Sequence, residues 1–434
     1  MSAALYSAFV ALVSVLMVRR PAAALIVAMN MFPLKQWAGA TSPFFEGRPI
    51  LTNLIAGSLV LAGVFVQSLR GRVGWPFYPV AARLIAALLL YALATVVWSP
   101  DCETCIRVWK DALPYVLTVI FLAPLTIQDK EDLHVVFSGM LVSGTVLAAL
   151  LLFTVRWEGR LIVPGQVPPG GPLGGNPLVV GSLGGTLIIL SVLYRFRSGQ
   201  PALQILKLPA LLAGLALAAR SGSRGQLVGA VVAAGLFRLL SQPPKNPVKG
   251  VSALFVIAVL VVLARIGVDV FWAGSGRFDA AVMQGDFTGR LQSGLTLLHH
   301  AMGSPFSLLF GLGNSSSYRI LGIYPHIVPL EVLGEEGIVG FLLLGGLVVG
   351  TAGTAMGSLR AIGANPEMRG LFACVAGLWC YQFLLINKQG SLLQAYDFFF
   401  YTILVAKFGQ FARDGKRCGG APGARRAGSP CRPR

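Results

Sequence analysis

The chain has 434 residues, of which 55% are hydrophobic and 12% are charged, and its formal net charge is +18. Soluble globular proteins have about a quarter of their residues charged, so this composition and a mean hydropathy of +0.73 exclude soluble enzyme classes. Eight Lys and Arg residues lie beyond residue 406, which is typical of a cytoplasmic tail with affinity for anionic lipid. No aromatic and basic recognition pattern accompanies this charge, and we therefore expect no nucleic-acid partner.

Membrane-length apolar runs recur along almost the whole chain. A bilayer core about 30 Å thick needs about 20 apolar residues per helix. The pattern predicts an all-α polytopic membrane protein with roughly twelve or thirteen transmembrane helices. The runs occupy residues 2–18, 21–33, 50–67, 79–97, 108–125, 133–154, 176–194, 203–219, 225–240, 250–264, 327–350, 369–386 and 391–407.

The first two runs are short and are split by Arg19-Arg20. They fit tilted helices, a re-entrant pair or one broken element equally well. The first run begins directly after Met1-Ser2 without a basic leader, so we expect a retained membrane segment and not a cleaved secretory signal.

Basic residues in the short connections indicate the orientation, because cytoplasmic loops are enriched in Lys and Arg. They fall on one alternating set of connections, the same side as the tail: Arg70, Arg72, Arg195, Arg197, Lys245, Lys249 and Arg360. The opposite set, 98–107, 155–175, 221–224 and about 265–326, is therefore expected to face the periplasm or cell exterior. This divides the chain into N-terminal transmembrane helices (1–264), a large periplasmic loop (265–326), C-terminal transmembrane helices (327–407) and a basic cytoplasmic tail (408–434).

The large loop contains two recognisable patterns. From Asp286 to Met302 the spacing predicts a helix with one broad apolar side, which includes Leu295 and Leu298. Such a helix fits either an interfacial cover at the membrane surface or a cap that only packs. The loop at 310–317 is rich in glycine and serine, and its backbone N–H groups are predicted to approach an anionic group closely.

The outer connection at 98–107 has two open interpretations. Cys102 and Cys105 form a C-x-x-C pair that fits a local disulfide or two free thiols, and no further ligands with suitable spacing indicate a zinc site. Asp101 and Glu103 fit either a divalent-cation pair or solvated helix caps.

The segment Tyr324-Pro325-His326 ends the large loop and leads into an apolar span. His326 is the candidate general base, because imidazole titrates near neutral pH. Glu331 and Glu336 follow, and a carboxylate at a membrane border is costly unless it is wet, paired or used. They are candidates to orient His326 or another cation. On a helix that begins at His326, Leu330 lies on the His326 face and Glu331 lies about 140° from it, which favours a partner for Glu331 on another element.

Several cations lie on the predicted periplasmic side. An arginine at mid-membrane costs about 3 kcal/mol, so these groups need a wet cavity, a helix end or an anionic partner. Guanidinium groups bind diphosphates through paired N–H contacts, which would suit a polyprenyl-diphosphate headgroup, although each arginine alone also fits a snorkelling helix end. The candidates for this role are Arg224 and Arg290, then Arg107, Lys110 and Arg160, with Arg220 in support.

Together these pieces resemble the bacterial O-antigen ligase and O-antigen polymerase superfamily of polytopic membrane proteins. The matching residues, in chain order, are Trp98-Ser99-Pro100 with Arg107 and Lys110, Gly174-Gly175-Asn176-Pro177, Ser223-Arg224-Gly225, Gly289-Arg290, Gly311-Leu312-Gly313, and Tyr324-Pro325-His326 through Leu330, Glu331, Glu336, Gly337 and Gly340. The chain departs from the family pattern at Ile327 and Gly222, where polar residues are common. Both departures bear on hydrogen bonding to the acceptor.

The resemblance implies a metal-independent glycosyltransferase of the bacterial inner membrane, without a cofactor, whose active site faces the periplasm. The implied donor is a glycan on undecaprenyl diphosphate, and the implied acceptor is lipid A-core for an O-antigen ligase of lipopolysaccharide biosynthesis. A growing glycan would be the acceptor for a polymerase. A polytopic transporter is the alternative from another class, but the sequence shows no clear internal repeat of the kind that many transporters have.

Overall fold

The structure is a computed structural model that describes residues 2–73, 79–158, 160–163, 175–196, 204–241, 247–272 and 279–419. Within these ranges it is helical, apart from a short antiparallel ribbon formed by Trp157–Glu158 and Arg160–Leu161. The α-helices are Ser2–Arg19, Ala24–Met29, Met31–Thr41, Pro49–Leu69, Val80–Ala94, Cys102–Tyr115, Lys130–Thr154, Pro177–Leu193, Lys207–Arg220, Arg224–Leu240, Pro247–Trp272, Ala280–Ala301, Pro305–Phe310, Ser316–Leu321, Val328–Glu335, Gly337–Ile362, Pro366–Ile386 and Tyr396–Gly419. Shorter helical turns are Pro21–Ala23, Thr95–Trp98, Val116–Leu122, Ala123–Thr126 and Leu392–Gln394.

Eight of the described helical segments are long and apolar enough to cross a membrane. Apolar residues face outward along them, which is the arrangement that a lipid environment favours. The prediction of an α-helical membrane protein with several spans is confirmed at this level. The eight segments are Ser2–Arg19, Pro49–Leu69, Val80–Trp98, Cys102–Thr126, Lys130–Thr154, Leu254–Trp272, Gly337–Ile362 and Pro366–Ile386.

The second apolar run is one broken element. It passes from Pro21–Ala23 through Ala24–Met29 and resumes at Met31–Thr41, with Asn30 at the break. The buried Asn30 Nδ2 donates to the carbonyl of Ile26 at 2.8 Å and to Ser143 Oγ at 3.1 Å. The break is therefore stabilised by side-chain hydrogen bonds within the bundle.

Polar contacts gather at two opposite ends of the bundle. Helix Lys130–Thr154 has 25 residues, so its ends lie about 38 Å apart at 1.5 Å per residue. Beside its first turn, Arg20 lies 3.7 Å from Asp129 and His134 lies 3.1 Å from Glu367; we call this the Asp129 end. Beside its last turn, Arg220 donates to the carbonyl of Leu152 at 3.1 Å. This second end includes the contacts of residues 280–336, and we call it the His326 end.

Two helices continue past residues at which the sequence analysis divides the chain. Helix Pro247–Trp272 runs past residue 264, and helix Tyr396–Gly419 runs past residue 407. The predicted basic tail lies partly in that last helix, and residues 420–434 lie outside the described ranges.

The predicted loop helix is present as Ala280–Ala301 and packs on helix Val328–Glu335. Gly294 and Gly334 allow the close approach, because a Cβ at Gly294 would lie 2.5 Å from Leu330 and one at Gly334 would lie 2.6 Å from Leu297. Leu297 is buried, whereas Leu295 is 45% exposed. One side of the helix therefore packs, and another apolar part is left outside.

Candidate functional site

His326 lies in the short connection between helices Ser316–Leu321 and Val328–Glu335. Its backbone has a φ of +62°, in the left-handed region that residues other than glycine seldom adopt. Its half-buried ring meets the ring of Tyr324 edge to face, with centroids 4.4 Å apart. The turn and Tyr324 together fix the direction of the imidazole.

The surroundings of His326 favour the neutral imidazole. Burial lowers the pKa of His326 below its usual value, and the positive charge of Arg290 lowers that pKa further. An imidazole that is neutral near pH 7 can accept a proton, as a general base must.

Three cations lie close to one another, and one of them, Arg290, also acts on His326. Arg290 donates a hydrogen bond to the carbonyl of Lys388, and Arg224 forms an ion pair with Asp286. The Arg224 side chain is 13% exposed, whereas that of Asp286 is 54% exposed. Burial, then the charges of Arg290 and Arg224, lower the pKa of Lys388 to about 8. The arrangement concentrates positive charge in a partly buried place, which is the setting that binds diphosphates most strongly.

The sequence interpretation missed Lys388 and the counter-ion Asp286. Lys388 lies in the segment Asn387-Lys388-Gln389-Gly390, directly after helix Pro366–Ile386. Because successive connections alternate between the two sides of the membrane, this loop belongs to the predicted periplasmic set. The positive-inside rule does not favour a lysine there. That mismatch was the available signal.

Arg107 and Lys110 lie on helix Cys102–Tyr115, and both are exposed. Arg107 Nη2 lies 3.4 Å from Thr104 Oγ1, and its charge acts on Tyr318. The Tyr318 and Tyr324 rings lie 6.2 Å apart, and Tyr324 contacts His326. Two tyrosines therefore lie between Arg107 and His326. The structure does not join it to the three-cation group.

Arg220 is held by aromatic rings. Its guanidinium lies over Trp157 at 4.9 Å and over Phe271 at 5.6 Å, and it also bonds the Leu152 carbonyl. Through these contacts Arg220 holds the ends of several helices together, which is a structural role. The side chain of Arg160 lies outside the described residues.

The acidic residues hold loops together. Glu335 accepts from the backbone N–H groups of Ser315 at 2.7 Å and Ser317 at 2.9 Å. These are two of the backbone N–H groups of the predicted glycine and serine loop, and the acidic group that they approach is the carboxyl group of Glu335. Glu331 accepts from the N–H of Leu392 at 3.2 Å, which confirms that it contacts another element. Burial raises the pKa of Glu331 and Glu335 above the usual value.

Glu336 reaches Asn314, which ties the loop to the 95–109 region. Asn314 Nδ2 donates to Glu336 at 2.8 Å, and Trp109 Nε1 donates to Asn314 Oδ1 at 3.1 Å. Ser99 Oγ donates to the Asn314 carbonyl at 2.9 Å, and Cys105 Sγ also contacts that carbonyl. Burial raises the pKa of Glu336 well above its usual value. This part of the motif set positions the loop that precedes His326.

The C-x-x-C pair consists of two free thiols, of which Cys102 is exposed and Cys105 is buried. Asp101 caps helix Cys102–Tyr115 by accepting from the N–H of Thr104 at 3.0 Å. The helix-cap interpretation of Asp101 therefore has a specific contact in its favour.

A cavity of about 550 Å³ adjoins the group around His326. Its wall includes Tyr324, which touches His326, and Gln389, the neighbour of Lys388. Asn176 also lines it and caps helix Pro177–Leu193 by accepting from the N–H of Leu178 at 2.9 Å. The Gly-Gly-Asn-Pro motif, Tyr324 and the Lys388 loop thus border one space.

In comparisons with known proteins, the chain matches no protein-family model and no curated protein. The similarity to the O-antigen ligase and polymerase superfamily therefore depends on the ordered motifs, and the family remains a prediction.

Proposed function

We propose that the chain is a membrane glycosyltransferase that moves a glycan from undecaprenyl diphosphate to an acceptor hydroxyl. The observation that carries this proposal is that Arg290 acts on His326 and bonds the Lys388 carbonyl, while Arg224 also acts on Lys388, although these residues are far apart in the sequence. A base beside several cations matches the two demands of the reaction: the acceptor must lose a proton, and the leaving diphosphate must be stabilised.

In the proposed step, the neutral imidazole of His326 takes the proton from the acceptor hydroxyl. The hydroxyl oxygen then forms a bond to the anomeric carbon of the donor sugar, and the bond from that carbon to the diphosphate oxygen breaks. The leaving electron pair stays on undecaprenyl diphosphate, where Arg224, Arg290 and Lys388 stabilise the negative charge. His326 afterwards releases its proton to water, which restores the base.

We propose that the His326 end faces the periplasm and that the membrane is the bacterial inner membrane. Arg20 and Arg70, which flank predicted cytoplasmic connections, make their contacts at the Asp129 end. The positive-inside rule then assigns that end to the cytoplasm. Shorter apolar helices such as Pro177–Leu193 complete roughly twelve or thirteen crossings in this arrangement.

We propose O-antigen ligation to lipid A-core as the reaction, with glycan polymerisation as the alternative within the same chemistry. Gel analysis of surface polysaccharide in a deletion strain separates them. Long chains that are not attached to lipid A indicate a ligase, whereas single repeats indicate a polymerase.

Reconstitution in liposomes tests the enzyme proposal against transport. Purified protein is supplied with an undecaprenyl-diphosphate-linked glycan and lipid A-core, and both transfer and movement of the intact donor across the bilayer are measured. We expect glycan on the acceptor and free undecaprenyl diphosphate. Movement of unmodified donor without transfer would replace the enzyme proposal with a transporter.

A further inference from the structure

A second group of cations lies at the Asp129 end of the bundle. Lys207 Nζ donates to the carbonyl of Tyr194 at 2.7 Å, and the Tyr194 hydroxyl lies 3.0 Å from the His134 ring, which places Lys207 at this end. Arg195 directly follows Tyr194, and the charges of Arg195 and Arg238 both act on Lys207. We call Arg195, Lys207 and Arg238 the Arg238 cluster.

Two of these cations lie at the carbonyl ends of helices. Arg195 follows helix Pro177–Leu193, and Arg238 lies in the last turn of helix Arg224–Leu240. The carbonyl end of a helix attracts a cation, but it carries only about half a negative charge. Two helix ends therefore do not balance the three positive charges of the cluster.

Packing against a third helix, Pro366–Ile386, positions the cluster. A Cβ at Gly370 would lie 3.4 Å from Arg195 Cγ, so the stem of Arg195 passes over this helix. Arg369 Nη1 donates to the Leu240 carbonyl at 3.3 Å, which ties the end of the Arg238 helix to the same place. The cations are thus brought together by contacts with backbone and glycine, without a carboxylate between them.

No carboxylate neutralises the Arg238 cluster. Residues 159–268 include all three cations and contain no Asp or Glu. Within the described ranges, no ion pair joins a member of the cluster to an acidic residue. Glu367, at the same end, already contacts Lys130 at 3.2 Å and His134 at 3.1 Å. Like charges that lie together in a partly buried place repel one another, and a bound anion would offset that cost.

The cluster has donors that no described residue uses. Arg238 Nε is enclosed, whereas its two terminal nitrogens are accessible and have no hydrogen-bond partner within the described ranges. Arg195 is exposed, and its guanidinium likewise bonds to none of those residues. Lys207 gives one of its three N–H groups to Tyr194. Guanidinium and ammonium groups bind phosphate oxygens through charge-assisted hydrogen bonds.

Exposed apolar side chains flank the same cations. Ile205 and Leu208, on either side of Lys207, are 76% and 63% exposed, and Leu239, next to Arg238, is 38% exposed. A phospholipid carries its phosphate directly beside its acyl chains, and cationic pockets between transmembrane helices bind such headgroups. A free phosphate would use the cations alone. We propose that the Arg238 cluster binds the headgroup of an anionic phospholipid, whose acyl chains lie along these apolar residues.

This inference goes beyond the proposed function and does not depend on it, because the cluster and His326 lie at opposite ends of the bundle. A lipid bound here would hold together three helix ends that carry excess positive charge. Its loss would therefore lower the stability of the protein in anionic lipid and leave the chemistry at His326 unchanged.

Thermal unfolding of the full-length protein in a neutral detergent tests the site. Phosphatidylglycerol, phosphatidylcholine and soluble glycerol phosphate are titrated separately, because a ligand of the folded state raises the Tm in proportion to its occupancy. We expect phosphatidylglycerol to raise the Tm saturably, and its dissociation constant to be about tenfold higher in Arg238→Gln. An equal shift with phosphatidylcholine would overturn the recognition of charge. An equal shift with glycerol phosphate would overturn the assignment to a lipid.

Three further variants sharpen the test. Arg195→Gln replaces an exposed side chain, so it should fold and also weaken phosphatidylglycerol binding. Arg238→Lys keeps the charge and should restore most of the affinity, which a purely structural role would not predict. Arg360→Gln is the matched control, because Arg360 is an exposed arginine in the last turn of helix Gly337–Ile362 and contacts no member of the cluster within the described ranges.

We expect the affinity of Arg360→Gln for phosphatidylglycerol to equal that of the wild type. Unchanged affinity in Arg238→Gln, or in Arg195→Gln if the first variant does not fold, would overturn the site. An equal loss of affinity in Arg360→Gln would also overturn it, since any surface arginine would then have the same effect.

Discussion

The two ends of the helical bundle both contain a partly or fully buried lysine and histidine, but they use them differently. At the Asp129 end, Lys407 donates to the carbonyls of Pro124 and Ile127, and His134 lies between Tyr194 at 3.0 Å and Glu367 at 3.1 Å.

At the His326 end, neither Lys388 Nζ nor the ring nitrogens of His326 hydrogen-bond to any residue within the described ranges. Instead, the His326 ring contacts Tyr324, and Lys388 directly precedes Gln389; Tyr324 and Gln389 both line the cavity.

This difference distinguishes structural polar groups from groups that await a ligand. A polar group that is buried with all its partners stabilises the fold, whereas one without partners costs free energy unless a ligand satisfies it. We therefore expect substitutions at the Asp129 end to change stability and substitutions at the His326 end to change activity.

The largest contrast is expected between the two histidines. His326→Ala should lower the rate of transfer by about 10²- to 10⁴-fold, because it removes the general base. His134→Ala should leave the turnover of folded protein unchanged and lower its amount in the membrane. Transfer assays normalised to folded protein check both variants. Full transfer by His326→Ala would remove the base assignment.

The two lysines give the next contrast. Lys407→Met leaves two buried carbonyls without a donor and should destabilise the protein by about 1 to 3 kcal/mol. Lys388→Met should change stability little and raise the KM for the donor about tenfold, because one cation of the diphosphate site is lost. Thermal unfolding and donor titration are the measurements. The reverse assignment of the two effects would contradict the distinction between the ends.

Arg290→Gln should shift the pH profile of kcat/KM upward. The base works when neutral, so activity falls as the pH drops through the pKa of His326, which Arg290 now lowers. Removing that charge raises the pKa and moves the acid limb to higher pH. Arg290 also lowers the pKa of Lys388, which is about 8, so the alkaline limb should move up as well. If the midpoints of both limbs were unchanged, Arg290 would not influence the pKa of His326 or of Lys388.

The smallest contrast concerns two glycines of the His326 end. A Cβ at Gly225 would lie 2.7 Å from Lys388 Nζ, the end of a flexible chain, so Gly225→Ala should cost only a few-fold in donor affinity. A Cβ at Gly313 would lie 2.5 Å from the Ser99 backbone, at a φ of +96°. Gly313→Ala should therefore lower the melting temperature more than Gly225→Ala does. Equal melting temperatures would contradict the packing of this loop.

Much of the fold could be predicted from the sequence because apolar runs and helix lengths are local properties. The runs predicted most of the long helices, and the loop helix is present close to its predicted position. The sequence left three geometries open for the first two runs, and it did not predict the break at Asn30 within the second run, because the bond from Asn30 to Ser143 joins elements that are distant in the chain.

The candidate site was only partly predictable for the same reason. His326, Arg224 and Arg290 carried visible signals, since a titratable or cationic group near an apolar run is costly unless it is used. Lys388 carried only the signal of a lysine on the predicted periplasmic side, and its closeness to Arg290 and Arg224 depends on tertiary packing.

The sequence by itself determined that the chain is helical and apolar, and it determined which residue types can act as a base or a cation. Only the tertiary structure decided which helix ends meet. That in turn decided the hydrogen bonds from the loop to Glu335, the closeness of Lys388 to Arg290 and Arg224, and the cavity beside Tyr324. The physical reason is that hydrophobic periodicity is written in neighbouring residues, whereas a pocket is formed by side chains that packing brings together from distant parts of the chain.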